Sequence, residues 1–143
     1  MAIRALVYSS QIAPNLSLDR VDDLARDAGR FNVQAGVTGV LLFDGVRFLQ
    51  YIEGPEDGLN VVYARILSST SHFEIKELAQ GIIIGRRFPY WSMRLVPADG
   101  EDLDFVNTGS WAGFSRSDES SKFQTGVDRL ATIIAPELGR EAH

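Results

Sequence analysis

The stretch VTGVLLFDGVRFLQYI, residues 37–52, holds two apolar runs on either side of Asp44 and Gly45. An Asp-Gly pair between such runs is a strong hairpin signal, because both residues tolerate the backbone angles of a tight turn. We therefore predict two adjacent antiparallel strands. In the second strand, the alternation of side chains places three residues on one inward face: Phe48, Gln50 and Ile52.

A strand and a helix are predicted ahead of the hairpin. Residues 3–8 are short and apolar, which is typical of a buried strand, and Tyr8 shares a face with Leu6. Ser17 stands where a helix N-cap is expected, and Gly36 supplies a stop. Between them, apolar residues recur at helical spacing: Val21, Leu24, Ala28 and Phe31.

A second helix and two more strands are predicted after the hairpin. Gly54 and Pro55 end the third strand, and the following helix has an apolar stripe at Leu59, Val62, Tyr63 and Ile66. Residues 77–84 and 90–96 have the composition of a fourth and a fifth strand. The order βαββαββ indicates an α+β fold of the ferredoxin-like type, with one mostly antiparallel sheet and both helices on one face.

The chain beyond Pro97 is predicted to be a helical extension. Helical spacing returns between Ser121 and Leu138, through a stripe formed by Phe123, Val127, Leu130 and Ile134, with Trp111 and Phe114 upstream. We expect a domain at residues 1–97 and an extension at residues 98–143, whose helix packs on the open sheet face, on a second subunit or on a partner.

Composition and charge exclude several classes of function. The 143 residues contain no cysteine, which rules out disulfides, thiolate nucleophiles and cysteine-ligated metals, and only two histidines, so no metal site is expected. A formal net charge of −5 lacks the basic patch that nucleic-acid binding needs. Neither a long apolar span nor a signal peptide is present, so we expect a soluble cytoplasmic protein that does not enter a membrane.

Five polar or redox-capable side chains stand among the apolar segments: Tyr8, Asn32, Gln50, Trp91 and Met93. A buried amide or phenol is costly unless it finds a partner, and a bound polar ring is one such partner. Each residue also has an ordinary interpretation. Tyr8 could be a strand aromatic, Gln50 a backbone-satisfied amide and Asn32 a helix cap, while Trp91 and Met93, expected on one face of the fifth strand, could fill the core.

Four phrases together resemble the BLUF family, the sensors of blue light using FAD. They are LVYSS at 6–10, FNVQAGVTGVLLFDG at 31–45, RFLQYIEGP at 47–55 and RRFPYWSM at 86–93. The resemblance covers residues 1–97, in order and in spacing. It implies a short, stand-alone photoreceptor whose two helices hold a non-covalent flavin, which would be FAD, with FMN or riboflavin as alternatives.

The resemblance also implies roles for individual residues. Tyr8 matches the tyrosine that donates an electron to the excited flavin, and Gln50 matches the glutamine between that tyrosine and the flavin. Asn32 matches the asparagine that holds the polar edge of the isoalloxazine ring. Met93 matches a methionine beside the glutamine, and Trp91 a nearby tryptophan that is buried or exposed; both would relay the signal.

Three further residues are implied to surround the flavin. Leu24 and Ile66 would sandwich the ring between the two helices, and Arg65 would approach the ribityl-phosphate side. The stretch Ser69-Thr70-Ser71-His72 departs from the family pattern of an acid and an arginine, which puts a contact from that loop to the phosphate end in doubt. Two arginines ahead of the fifth strand are interpreted as surface charges: Arg86 and Arg87.

The chemistry of an amide between a phenol and a flavin suits a switch. A side-chain amide has one acceptor and two donors, so Gln50 could bridge the two groups in alternative hydrogen-bond patterns. An added hydrogen bond to a flavin carbonyl would shift the absorption to the red. Rotation and tautomerisation of the amide both remain open.

The favoured function is a blue-light receptor that is not itself an enzyme. It would signal by changing its assembly with itself or with a separate regulatory protein. One alternative is a light-independent small-molecule or protein-binding module on the same fold. A less favoured alternative is an acylphosphatase-like hydrolase, although no glycine-rich phosphate loop with a partnering arginine stands at a strand-helix junction.

Overall fold

The computed structural model describes residues 3–12, 17–68, 72–89, 91–107 and 126–141. Along these residues the strands and helices are β1 (Ile3–Ile12), α1 (Leu18–Ala35), β2 (Thr38–Phe43), β3 (Arg47–Pro55), α2 (Glu56–Leu67), β4 (His72–Ile83), β5 (Arg94–Pro97), α3 (Gly100–Asn107) and α4 (Gly126–Glu141).

The predicted hairpin joins β2 to β3. The two strands are antiparallel, and the rings of Phe43 and Phe48 stack at its closed end with centroids 4.9 Å apart. Gly45 has a φ of 102°, which glycine adopts without strain. Asp44 Oδ1 accepts hydrogen bonds from the backbone N–H groups of Val46 and Arg47, at 2.9 and 2.7 Å. The turn is therefore held by its own side chain, as Asx turns are.

Both ends of α1 lie where the sequence predicted them. The Ser17 hydroxyl accepts a hydrogen bond from the Arg20 N–H at 3.2 Å, which caps the first turn. Gly36 ends the helix in the left-handed region, with a φ of 73°, and its N–H donates to the carbonyls of Asn32 and Val33. These two caps set where the helix starts and stops beside the sheet.

The sheet has the strand order β4-β1-β3-β2-β5. β1 is antiparallel to both β3 and β4, whereas the short β5 runs parallel to β2. The first four strands with α1 and α2 have the ferredoxin-like arrangement, so the predicted fold class is confirmed. α1 and α2 cover one face, where Leu6 and Ile52 pack with Val37, Leu59 and Val62.

α3 and α4 cover the opposite face of the sheet. Leu130 and Ile134 of α4 are fully buried in the cluster that contains Leu103 of α3 and Tyr51 of β3. The sequence analysis did not predict α3, whose apolar residues are too few to show a period. α3 is capped at its start, where the Asp102 N–H donates to the Asp99 side chain at 2.8 Å. Four residues named for the extension lie outside the described residues: Trp111, Phe114, Ser121 and Phe123.

Three predicted strand boundaries were wrong. The fifth strand begins at Arg94 and not at residue 90, which lies outside the described residues. The described residues before Arg94 form hydrogen bonds with side chains and with isolated backbone groups, so they do not pair as a strand. β1 continues to Ile12 and β4 starts at His72, since these two residues pair with each other at the end of the β1–β4 ladder. Long-range pairing thus extends strands whose local sequence is polar.

Candidate functional site

A cavity of about 420 Å³ lies between α1, α2 and the sheet face that they cover. This volume is within the range of about 300–1,000 Å³ that small-molecule sites have. Its apolar walls come from both helices, the sheet and the segment before β5, and are formed by Val21, Leu24, Ala25, Ala28, Leu41, Phe48, Ile66 and Met93. Polar groups of Tyr8, Gln50 and Arg65 also face it, together with Asp27 and Ser68.

Tyr8 and Gln50 form a hydrogen-bonded pair at the cavity wall. They stand directly opposite each other in the antiparallel β1–β3 register. Both are buried, at 2% and 6% exposure, and the Tyr8 hydroxyl donates to Gln50 Oε1. Burial, with a smaller contribution from nearby Tyr63, raises the pKa of Tyr8 well above its usual value. The phenol is therefore a protonated donor, and Gln50 accepts through its carbonyl oxygen.

Met93 is the second partner of the Gln50 amide. Gln50 Nε2 donates to Met93 Sδ at 3.7 Å, and Met93 lines the same cavity. The amide therefore engages the phenol through its oxygen and the thioether through its nitrogen. A thioether is a weak acceptor, so the Gln50 N–H can exchange it for a stronger acceptor at small cost in free energy.

Trp91 lies on the other side of the sheet from the cavity. It is buried, at 8% exposure, in the cluster that includes Phe88 and Leu130, whereas Met93 packs against the cluster under α1 and α2. The prediction that Trp91 and Met93 share one strand face was wrong. Residues 91–93 precede the strand and do not alternate as strand residues do. The Arg94 guanidinium lies 5.6 Å from the Trp91 ring centroid.

Three of the residues expected to hold the ring line the cavity, whereas Asn32 is not one of its lining residues. Leu24 and Ile66 line it from opposite helices, as a sandwich requires, and Arg65 lines it with its guanidinium 4.6 Å from the Phe31 ring centroid. Asn32 is almost fully buried, and its Nδ2 donates to the Ser92 carbonyl at 2.8 Å. This carboxamide thus holds the segment before β5.

The sequence analysis missed the most buried charged group in the described part of the chain. Glu53 is fully buried on β3 and accepts from the backbone N–H groups of Arg87 and Phe88, both at 2.7 Å. The interpretation of Arg86 as a surface charge was wrong, because its half-buried guanidinium donates to the Gly36 carbonyl at 2.6 Å. Arg87 is exposed, as expected. The signal for Glu53 was its period-two spacing from Tyr51 and Leu49 on the strand.

The cavity fits a flat ring with a polar edge. Apolar side chains on α1 and α2 face its two sides, and an amide that can rearrange lies at the sheet. A ring system held between the helices would have its faces against Leu24 and Ile66 and its edge near Gln50. Arg65, which also lines the cavity, has the charge that a phosphate requires.

The fold and the site define a small α+β domain in which a phenol and an amide face a cavity between two helices. The BLUF family, described as sensors of blue light using FAD, matches residues 3–94. This match covers more than half of the chain, and the protein belongs to the BLUF family. Its class is therefore that of the blue-light photoreceptors with FAD as the chromophore.

Named relatives and solved structures agree with this assignment. The blue light- and temperature-regulated antirepressor BluF of Escherichia coli is 34% identical over 129 residues, which are 90% of this chain and 31% of the relative. The alpha subunit of the photoactivated adenylate cyclase of Euglena gracilis is 33% identical over 64% of this chain and 9% of its own length. The dark-state structure of BlrB, a BLUF protein, has a TM-score of 0.71 at 29% identity and covers 95% of this chain and 97% of that one.

The chain spans about a third or less of the length of these two curated relatives. Among the described residues, no helix is both long enough and apolar enough to cross a membrane.

Proposed function

We propose that the protein is a light-driven hydrogen-bond switch in which Tyr8 and Gln50 carry the photochemistry. The observation that supports this most directly is the chain of contacts from the Tyr8 hydroxyl to Gln50 Oε1, and from Gln50 Nε2 to Met93 Sδ, along the wall of the cavity. When bound, FAD supplies the absorption of blue light, an acceptor for one electron and a carbonyl acceptor at the ring edge.

Tyr8 is the electron donor in this proposal. Loss of an electron makes a phenol strongly acidic, and Gln50 Oε1, which already accepts the Tyr8 hydrogen bond, can accept the proton. Because Tyr8 is buried, an unneutralised charge there would be costly, so electron loss and proton transfer are coupled. When the electron returns, the proton returns to Tyr8 Oη, and the phenol is regenerated.

Gln50 stores the signal. The Tyr8 hydroxyl is the donor that holds the Gln50 amide in its present orientation. While the Tyr8 proton is displaced, this hydrogen bond is lost, and the amide can form new hydrogen bonds in a different pattern. In the new pattern, the amide no longer donates to Met93 Sδ. Leu24, Ile66 and Arg65 bind and orient the ring, and Asn32 holds the segment that carries Met93.

The output of the switch is proposed to be a change in association. We divide the chain into a flavin-binding domain at residues 1–97 and an extension at residues 98–143, and we propose that the extension passes the change to a second copy or to a separate regulatory protein. The Escherichia coli relative is described as an antirepressor, which is compatible with a protein partner. We also propose that the protein works in the cytoplasm and that the chain itself carries no enzymatic activity.

An absorption spectrum of the purified protein, taken before and after blue illumination, tests the proposal. We expect a flavin spectrum with a small, reversible red shift, and denaturation should release the flavin into the supernatant for identification as FAD, FMN or riboflavin. A protein that stays colourless after folding with excess FAD would favour the light-independent binding module. A bound flavin without a red shift would refute the switch.

A further inference from the structure

Glu53 is a buried carboxylate that the proposed photochemistry does not use. Its Oε1 accepts from the Tyr51 hydroxyl at 3.1 Å and from the Arg87 N–H at 2.7 Å. Its Oε2 accepts from the Thr38 hydroxyl at 3.2 Å and from the Phe88 N–H at 2.7 Å. Four donors from three separate parts of the chain thus converge on one carboxylate, and hydrogen bonds to a charged acceptor are the strong ones.

These bonds anchor the start of a segment that ends at Met93, which we call the connecting segment (residues 86–89 and 91–93). At the same end, the Arg86 guanidinium donates to the Gly36 carbonyl at 2.6 Å and to the Thr38 hydroxyl at 2.9 Å. The end of α1 at Gly36, together with Thr38 of β2 and Glu53 of β3, therefore holds the segment before strand pairing begins at Arg94.

The other end of the connecting segment meets the switch. The Gly39 N–H donates to the Trp91 carbonyl at 3.0 Å, and Asn32 Nδ2 donates to the Ser92 carbonyl at 2.8 Å. Met93 follows, with its sulfur 3.7 Å from Gln50 Nε2. A segment without regular strand pairing takes its position from such tethers, so the place of Met93 depends on the anchor at Glu53.

We propose that Glu53 is a positioning residue that acts through Met93, by holding the connecting segment so that the thioether lies against the Gln50 amide. This inference rests on the proposed switch, because it names what sets the strength of the Gln50–Met93 contact. Glu53 touches neither the cavity nor Gln50 in the described contacts, so its effect on the photocycle passes through the segment.

Glu53→Gln is the test variant because it keeps the shape of the side chain. The amide offers one acceptor oxygen and one donor nitrogen, so either the Arg87 or the Phe88 N–H loses its acceptor. The hydroxyl next to the new nitrogen, from Tyr51 or Thr38, can turn and accept a hydrogen bond from that nitrogen. The expected change is a looser connecting segment with the fold retained.

The measurement is a double-mutant cycle on the rate constant for thermal recovery after blue light. Glu53→Gln is compared in two backgrounds, the parent protein and Met93→Ala. In each background, the effect of Glu53→Gln is the factor by which it changes the recovery rate. We expect this factor to be at least threefold larger in the parent protein than in the Met93→Ala protein. Two factors that agree within threefold would overturn the role of Glu53, because an effect that passes through Met93 must vanish with it.

Arg86→Ala repeats the cycle in case Glu53→Gln does not fold. It removes the guanidinium bonds of the same anchor, and the same threefold criterion applies. Arg87→Ala is the matched control, since its side chain is exposed and its backbone N–H remains bound to Glu53; its recovery rate should stay within twofold of the parent. A parent protein without any red shift would refute both the switch and this inference. If the parent responds normally and Glu53→Gln changes the recovery rate by the same factor, within threefold, in both backgrounds, only the inference is refuted.

Discussion

Tyr8 and Gln50 meet because of strand register and not because of any loop. They are direct partners in the β1–β3 ladder, and side chains opposite each other on one face of an antiparallel pair are about 4.5–5.5 Å apart at Cβ. Burial, with a smaller contribution from Tyr63, raises the pKa of Tyr8 and keeps its hydroxyl a donor. A one-residue slip in register would separate the pair, so the switch depends on the sheet itself.

Tyr8→Phe should abolish the light-induced red shift while the flavin stays bound, because the ring keeps its packing but loses the proton that accompanies electron transfer. The measurement is the difference spectrum before and after blue light. Tyr63→Phe is the control, since the Tyr63 ring lies 6.1 Å from that of Tyr8 and is not bonded to Gln50 in the described contacts. A reversible red shift in Tyr8→Phe would show that another residue is the donor.

Gln50→Leu should also abolish the red shift, since leucine has neither donor nor acceptor. It leaves the buried Tyr8 hydroxyl without its acceptor, so the free energy of unfolding should fall by roughly 1–3 kcal/mol. Spectra and urea unfolding measure the two effects. Gln80→Leu, at an exposed position of β4, is the control; it should leave the red shift intact and lower the free energy of unfolding by much less. A light response that survives in Gln50→Leu would contradict the proposed storage of the signal.

At the scale of elements, the β2–β3 turn shows how one side chain sets a hairpin. Burial alone would raise the pKa of Asp44, but hydrogen bonds from Arg47 and Val46 outweigh it and lower the pKa below the usual value. A carboxyl whose folded pKa is lowered stabilises the protein above its unfolded pKa, and this contribution is lost as the pH falls through the folded value.

Asp44→Ala should therefore reduce the free energy of unfolding at neutral pH by roughly 1–2 kcal/mol, since it removes the acceptor for two backbone N–H groups. The difference from the parent should shrink below about pH 4, where an unfolded aspartate is protonated. Chemical unfolding at pH 7 and pH 3 measures this. Asp44→Asn retains an acceptor oxygen and should lose less stability. A pH-independent difference for Asp44→Ala would exclude the charged carboxylate as the cause.

The connecting segment has contacts on both sides of the sheet, so Trp91 and Met93 should differ in effect. Met93→Ala should alter thermal recovery at least threefold, because Met93 touches Gln50, and it should leave the red shift present. Trp91→Ala should leave recovery within about threefold but weaken the light-dependent change in protease sensitivity of the extension, because Trp91 packs with Leu130. Equal effects of the two substitutions on recovery would contradict this separation.

At the scale of the whole molecule, the sheet separates the cavity proposed to hold the flavin from the tail helices. α1 and α2 cover one face, and α3 and α4 cover the other, with Leu130 and Ile134 fully buried there. A signal that reaches the extension must therefore pass through the sheet or around its edge. Light can shift an association only as far as the two states differ in affinity for the partner.

Leu130→Ala should lower the free energy of unfolding by roughly 2–5 kcal/mol, which is the usual cost of truncating a buried leucine. The red shift should persist, because Leu130 is on the face opposite the cavity, while any light-dependent change in oligomer size should decrease. Denaturant unfolding and light scattering in the dark and under blue light measure these effects. Ala135→Ser, at an exposed position of α4, is the control. Unchanged assembly in a destabilised Leu130→Ala protein would place the output on another surface.

The local sequence determined the elements whose signals lie within a few residues of one another. The Asp44–Gly45 turn, the Ser17 and Gly36 caps of α1, and the shared inward face of Phe48, Gln50 and Ile52 on β3 follow from turn chemistry, capping and period two. These features could be predicted because each depends on backbone angles and side chains that are neighbours along the chain.

Only the tertiary structure decided where the distant partners lie. The Glu53 carboxylate binds N–H groups more than thirty residues away, at Arg87 and Phe88. Trp91 and Met93 pack on opposite sides of the sheet. The cover of the second face by α4 is likewise a long-range contact. A buried charge takes whichever donors the fold brings to it, and that choice is made by packing across the whole molecule and not by spacing along the chain.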